Sequence, residues 1–193
     1  MDPSVGHAKI TAMKRYILAA MSLAVLLIPT LGPAASAPPL TPAMIETVEG
    51  MAPLTDTPAP VLGGRPVVIG FFASWCPPCT DEFRQLNQLR AAYDENQLAI
   101  VSLNIFESHF EKNTEHRIRR FLKRTAPTFS VLGGISDDRL SALFAGVDRI
   151  PTVFVYDGAG KPVYSFVHAQ NAKKRHVTFE ELDKVIRPLA GLN

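Results

Sequence analysis

The two cysteines of this 193-residue chain stand two residues apart in Trp75-Cys76-Pro77-Pro78-Cys79, directly after the apolar run Val67 to Phe72. Thiols at that spacing sit about one helical turn apart, so their sulfurs can join in a disulfide and separate again. Where a strand hands over to a helix, the outward-pointing N–H groups and the positive end of the helix dipole favour a thiolate. Cys76, at the helix entrance and exposed, is the expected attacking thiolate; Cys79, one turn in and more buried, is the expected resolving thiol. Pro77 and Pro78 fit the first turn, where no helical bond needs their missing N–H groups. They also withdraw two donors from the Cys76 sulfur, which limits thiolate stabilisation and biases the pair toward the disulfide, making it a reductant. The competing reading is a structural staple, but a cross-link gains most by closing a long loop and this one encloses only two residues.

Other residue types add to this chemistry or compete with it. Glu82, one turn beyond Cys79, either relays a proton to the resolving thiol or, with Asp81, simply favours the helix N-terminus by its charge. Pro151, in Ile150-Pro151-Thr152, opens a later extended segment, as an edge-strand proline does. His7, His109, His116, His168 and His176 show no ligand spacing with one another or with the cysteines, so no metal site is expected. Arg117, Arg119, Arg120, Lys123 and Arg124 alternate with Ile118, Phe121 and Leu122. That pattern reads as the solvated face of an amphipathic helix, with a docking patch as the alternative.

The elements that must position these groups follow from apolar periodicity. Val67 to Phe72 and Leu98 to Ile105 are continuous apolar runs, as central buried strands require. Pro77 to Ala92 carries Phe83, Leu86 and Leu89 at helical spacing, with Tyr93 just beyond. A helix over Glu115 to Arg124, an extended segment over Thr128 to Leu132 and a short helix over Ser136 to Phe144 follow. Thr152 to Tyr156 and Pro162 to Val167 flank Asp157-Gly158-Ala159-Gly160, the pattern of a hairpin. Thr178 and Glu181 form a capping box before the apolar face of Phe179, Leu182, Ile186 and Leu189. This order describes a mixed sheet covered by helices on both faces. Residues 38–61, rich in proline, read as an irregular lead-in in which Ala43 to Met51 can form a short helix but no core element is expected.

Residues 1–37 differ in kind. Lys14 and Arg15 precede the apolar stretch Tyr16 to Leu31, and Ala35-Ser36-Ala37 offers a small-residue cleavage site, the build of a signal peptide. The stretch falls short of the roughly 20 residues a bilayer span needs, which favours cleavage over a permanent anchor. Pro38 leaves an N-terminal membrane anchor open. The rest of the chain balances its charges, which gives no support for nucleic-acid binding.

Arg65 to Cys79, Ile150-Pro151-Thr152 and Asp157-Gly158-Ala159-Gly160-Lys161 together resemble the TlpA/ResA branch of exported bacterial thioredoxin-like proteins, over residues 62–193. The resemblance implies an α/β thioredoxin fold, its central mixed sheet flanked by helices, with the branch's mid-domain insertion at residues 111–132. It implies a cis-proline at Pro151 beside the cysteines, and a substrate groove formed by Trp75, Ile150 and Pro151 in which the Ile150 backbone pairs with a client strand. It also places the branch's active-site acid on Glu82. The implied activity is reduction of disulfides in client proteins outside the cytoplasm, apocytochrome c among them, without a bound cofactor and recharged by a membrane electron donor. Two positions depart from the pattern: Gly70 stands where thioredoxin has a buried aspartate, and Thr152 where cytochrome-maturation members have glutamate. A copper-binding chaperone of the same fold, with the two thiolates and His168 as ligands, is the alternative from another class. A disulfide-donating oxidase is the same chemistry run backwards.

Overall fold

Every residue of Val67–Phe72 (β2) is buried, because this strand lies at the centre of the sheet with side chains packed on both faces. The computed structural model of the protein describes residues 37–192 apart from 111 and 113, so the signal-like stretch through residue 36 lies outside the described residues. Helix α1 (Pro42–Glu49) and strand β1 (Ala52–Pro53) precede β2; α2 (Pro77–Ala92), β3 (Ala99–Asn104), a 3-10 turn (Glu107–Phe110) and α3 (Thr114–Thr125) follow it. Then come β4 (Ser130–Gly133), α4 (Asp137–Leu143), β5 (Thr152–Tyr156), β6 (Pro162–Val167) and α5 (Phe179–Leu189).

The six strands lie in the order β1-β4-β3-β2-β5-β6. β2, β3 and β4 run parallel, whereas β5 pairs antiparallel with β2, β6 with β5, and β1 with β4. Side-chain alternation along β2 divides the core in two. Val68 and Phe72 face α2, α3 and α5 with Phe83, Leu86, Phe121 and Ile186; Val67, Ile69 and Phe71 face α1 and α4 with Met44, Val48, Leu140 and Phe144. This is the thioredoxin fold expected from the strand and helix order.

Local chemistry explains where the elements begin. Thr178 Oγ1 accepts from the Glu181 N–H at 3.3 Å while the Glu181 carboxylate accepts from the Thr178 N–H at 3.0 Å, so the capping box closes α5 reciprocally. In the β5–β6 turn the Asp157 carboxylate accepts from the Ala159 and Lys161 N–H groups, both at 2.9 Å, and Gly160 takes φ +78°.

Residues 38–61 correct the expectation of a lead-in without core elements. Thr41 caps α1, Pro42 opens its first turn, and Met44 and Val48, four residues apart on one face, are buried. Leu40 N–H donates to Gly160 C=O at 2.8 Å, and β1 extends the sheet along β4. Spacing hid this role because the prolines that suggest irregularity stand at a helix start and on an edge strand, the positions that tolerate them.

Candidate active site

Cys76 is the N-cap of α2: its Sγ accepts from the Cys79 N–H at 3.3 Å. Pro77 and Pro78 fill the first two helical positions, so this is the only first-turn N–H that the sulfur meets. The two cysteines are joined in a disulfide, with Cα atoms 5.4 Å apart. Cys79 is fully buried, and Cys76, expected to be exposed, is 3% exposed. The helix start and the sheet close around the sulfur, which reaches solvent as part of the wall of a concavity of about 570 Å³.

That concavity gathers Trp75, Cys76 and Ile150 with Phe106, His109 and His168. The Ile150–Pro151 peptide bond is cis, and Pro151 is buried at the end of β5, where its C=O accepts from His168 N–H at 3.0 Å. The sheet ladder starts only at Thr152, which leaves the Ile150 backbone at the rim. Thr152 is itself buried, and its hydroxyl donates to the Arg149 C=O at 2.8 Å. Another hollow, of about 310 Å³ beside Pro58 and Arg90, contains neither sulfur. Among the described residues no three His, Cys, Asp or Glu side chains converge as metal ligands, although His168 shares the concavity with Cys76.

Glu82 lies elsewhere, beneath the helix rather than in the concavity. Cys79, Glu82, Phe83 and Leu86 repeat at helical spacing and are all buried against the sheet. Neither Glu82 oxygen has a hydrogen-bond partner, and burial pushes the carboxyl well above the usual carboxylate range. A Cβ on Gly70 would lie 3.5 Å from Glu82 Oε1 and 3.0 Å from the hydroxyl of Ser102, the register partner of Gly70 on β3. The Ser102 hydroxyl is thus the tight neighbour at Gly70, and the carboxyl delivered from α2 lies at van der Waals distance. Burial rules out the reading of Glu82 as a solvated charge at the helix start; Asp81, half-exposed and 3.0 Å from Arg84, fills that description.

The residue that holds the cysteine loop had no sequence signal. Glu107, buried in the 3-10 turn after β3, accepts from the Ser74 N–H, from the Ser74 hydroxyl at 2.8 Å and from Asn104 Nδ2 at 2.9 Å. Its carboxylate lies 3.6 Å from the Arg117 guanidinium on α3. Trp75 Nε1 donates to the Phe106 C=O at 2.8 Å, and the Phe106 N–H donates in turn to Asp137 at 2.6 Å at the start of α4. The loop that ends in Cys76 is therefore fastened to β3, α3 and α4, all distant in sequence. The indole packs against His109 and Phe110 with centroids 5.5 and 5.6 Å away.

The chain is similar to known proteins in sequence and in fold. The chain is 30% identical over 98 residues to the thiol-disulfide oxidoreductase ResA of Geobacillus thermodenitrificans, covering 51% of this chain and 52% of that one. It is 31% identical over 117 residues to the thiol:disulfide interchange protein HelX of Rhodobacter capsulatus, covering 61% and 59%. The match thus spans little more than half the length of either relative. A putative thiol:disulfide interchange protein DsbE of Chlorobium tepidum superposes with TM-score 0.50 at 28% identity, covering 66% of this chain and 82% of that one. A secreted Mycobacterium tuberculosis disulfide oxidoreductase shares the fold, with TM-score 0.55 at 20% identity over 74% and 98% of the two chains. The Redoxin family model matches residues 40–186, a span that takes in the capped Cys76, the buried Glu82, the Glu107 clamp and the cis-proline: this chain belongs to the Redoxin family and is similar to the thiol-disulfide oxidoreductases ResA and HelX.

Proposed function

We propose that the protein is an exported thiol-disulfide oxidoreductase that reduces disulfides in client proteins. The observation that carries the reading is the Cys76–Cys79 disulfide at a helix start, set in the wall of a concavity that also holds Ile150. In the reduced protein the Cys76 thiolate attacks one sulfur of a client disulfide. A Cys76–client bond forms, the client S–S bond breaks, and the second client sulfur leaves as a thiolate and takes up a proton. Cys79 then gives up its proton, attacks Cys76 Sγ and releases the first client sulfur, so two electrons have moved to the client and the Cys76–Cys79 disulfide remains. Glu82, one turn beyond Cys79 and made a stronger base by burial, is the group we assign to take up the Cys79 proton, as a carboxylate that becomes the carboxylic acid when the thiol ionises. Trp75 and Ile150 line the client groove, buried cis-Pro151 shapes it from beneath, and the Ile150 backbone is open to an added strand.

The reducing direction is supported by Pro77 and Pro78, which leave the Cys76 sulfur one backbone donor. Export is supported by the signal-like residues 1–37, and a compartment outside the cytoplasm requires a membrane electron donor to return the disulfide to the dithiol. Among the described residues no helix is long and apolar enough to cross a membrane. A Cys79→Ser variant expressed in cells should accumulate mixed disulfides through Cys76, and the trapped partners identify the clients, apocytochrome c being the one the resemblance points to. An empty trap would count against client reduction. A redox titration giving a potential as high as that of a strong periplasmic oxidant would reverse the direction.

A further inference from the structure

The cations of α3 continue to the sulfur. Arg124 lines a second concavity that shares Trp75, Cys76 and Pro77 with the first, and Arg149 and Arg175 line the first. The Arg124 guanidinium is held in place, 5.5 Å from the Phe121 ring centroid and donating to Thr80 Oγ1 on α2 at 3.2 Å. Arg120, Lys123 and Arg124 form an exposed run on α3, and Arg175 is exposed as well. Among the described residues none of these four has a carboxylate within 4.0 Å. Asp81 and Asp148 also line these concavities, but each is paired, Asp81 with Arg84 at 3.0 Å and Asp148 with Arg149 at 3.5 Å. Glu115 pairs with Arg119, so the unpaired charges of this face, among the described residues, are those of Arg120, Lys123, Arg124 and Arg175.

The geometry points to a cationic docking face, running from α3 to the rim of the Cys76 concavity, that selects partner proteins with acidic residues beside their reactive disulfide. The inference rests on the exchange reading proposed above and names its substrate class. Unneutralised like charges around a recessed sulfur raise the local concentration of anionic partners and speed productive encounter. A solvated helix face needs no such continuity with the nucleophile. Protein is favoured over an anionic lipid surface because the cations border the hollow through which Cys76 is reached, and a membrane lying across it would cover the sulfur without offering a disulfide.

The test uses the full reduced protein and three probes: uncharged bis(2-hydroxyethyl) disulfide, and two synthetic peptide disulfides of matched length, one flanked by Asp and Glu and one by Lys. Each peptide rate is divided by the same protein's rate on the uncharged probe. The acidic peptide should be favoured by about 10-fold or more at low ionic strength, and the preference should collapse near 0.5 M salt, where the Debye length is only about 4 Å. Arg120→Glu with Lys123→Glu and Arg124→Glu should invert it, and the corresponding glutamine triple, in case the first fails to fold, should abolish it. Equal normalised rates for the two peptides, or a preference that survives the glutamine triple, would overturn the proposal. Failure to reduce the uncharged probe would instead strike the exchange reading itself. Binding to phosphatidylglycerol vesicles that the glutamine triple abolishes while peptide preference persists would assign the face to lipid and overturn the proposal too.

Discussion

The Glu82 carboxyl fills the space above Gly70: a methyl group added to that glycine would come within 3.5 Å of Glu82 Oε1. One strand residue without a side chain and one helix residue with an acidic one together accommodate a buried carboxyl, its pKa raised by that burial, in the core. A side chain at 70 would press first on the Ser102 hydroxyl, 3.0 Å away, and would bring the carboxyl into direct van der Waals contact.

Glu82 makes stability depend on pH with a definite sign. Its pKa in the folded protein is raised above the ordinary value of 4.5, so the stability it allows is fully present below that value and is lost as pH rises toward the folded pKa. Glu82→Gln should flatten this decline and be the more stable protein at neutral pH, while slowing release of client through Cys79. Urea unfolding of both oxidised proteins at several pH values checks it; parallel curves would mean that Glu82 titrates normally.

Removing the Glu107 clamp should loosen the nucleophile. Glu107→Ala strands the Ser74 N–H, the Ser74 hydroxyl and the Asn104 amide, at a cost of about 1–3 kcal/mol for each donor left buried and unpaired. We expect a loss of about 2 kcal/mol or more and slower reaction with a small uncharged disulfide. Glu107→Gln, which keeps one acceptor, should fall between. Urea denaturation and stopped-flow kinetics measure the two effects, and a change below about 0.5 kcal/mol would remove the clamp from the argument.

Cys76 is a helix cap as well as the proposed nucleophile, so its replacements should separate two losses. In the reduced state Cys76→Ser retains a capping oxygen for the Cys79 N–H and should match the reduced wild type in stability, whereas Cys76→Ala should lose about 1 kcal/mol. Thermal unfolding under reducing conditions discriminates between them. Equal stabilities for the two variants would show that the cap contributes nothing.

Docking of the lead-in can be read from two glycines. Gly64 and Gly160 both have positive φ, +76° and +78°, but a Cβ at 64 meets nothing within 4 Å while one at 160 lies 2.7 Å from the Leu40 carbonyl oxygen. Gly64→Ala should cost about 1–2 kcal/mol for the left-handed backbone alone. Gly160→Ala should cost clearly more, because the backbone at Leu40 is tied back by its own N–H bond to Gly160. Equal costs in a denaturant titration would place residues 38–61 off the sheet.

Elements with strong local patterns were legible in the sequence. Val67–Phe72 and Pro77–Ala92 stand at their expected bounds because an unbroken apolar run and a proline-opened helix each declare their own limits. The position of Glu82 was also readable, since it falls on the apolar face with Cys79, Phe83 and Leu86. Its burial was not, because nothing near it in sequence shows that the strand below is empty at Gly70. Glu107 left no local mark: its partners Ser74 and Arg117 lie 33 residues before it and 10 after it, and only the parallel β2–β3 pairing brings them together. α1 was half legible, its helix visible between Ala43 and Met51 and its place in the core hidden by the surrounding prolines.

The fastening of Ser74 by Glu107 also bears on when the protein becomes itself. Before β3 docks beside β2, the Cys76 loop has no clamp, the Trp75 ring no ledge, and the two sulfurs are ordinary thiols on a flexible chain. The fixed surroundings of the two sulfurs are therefore a product of the finished sheet and not of the Cys-Pro-Pro-Cys segment itself.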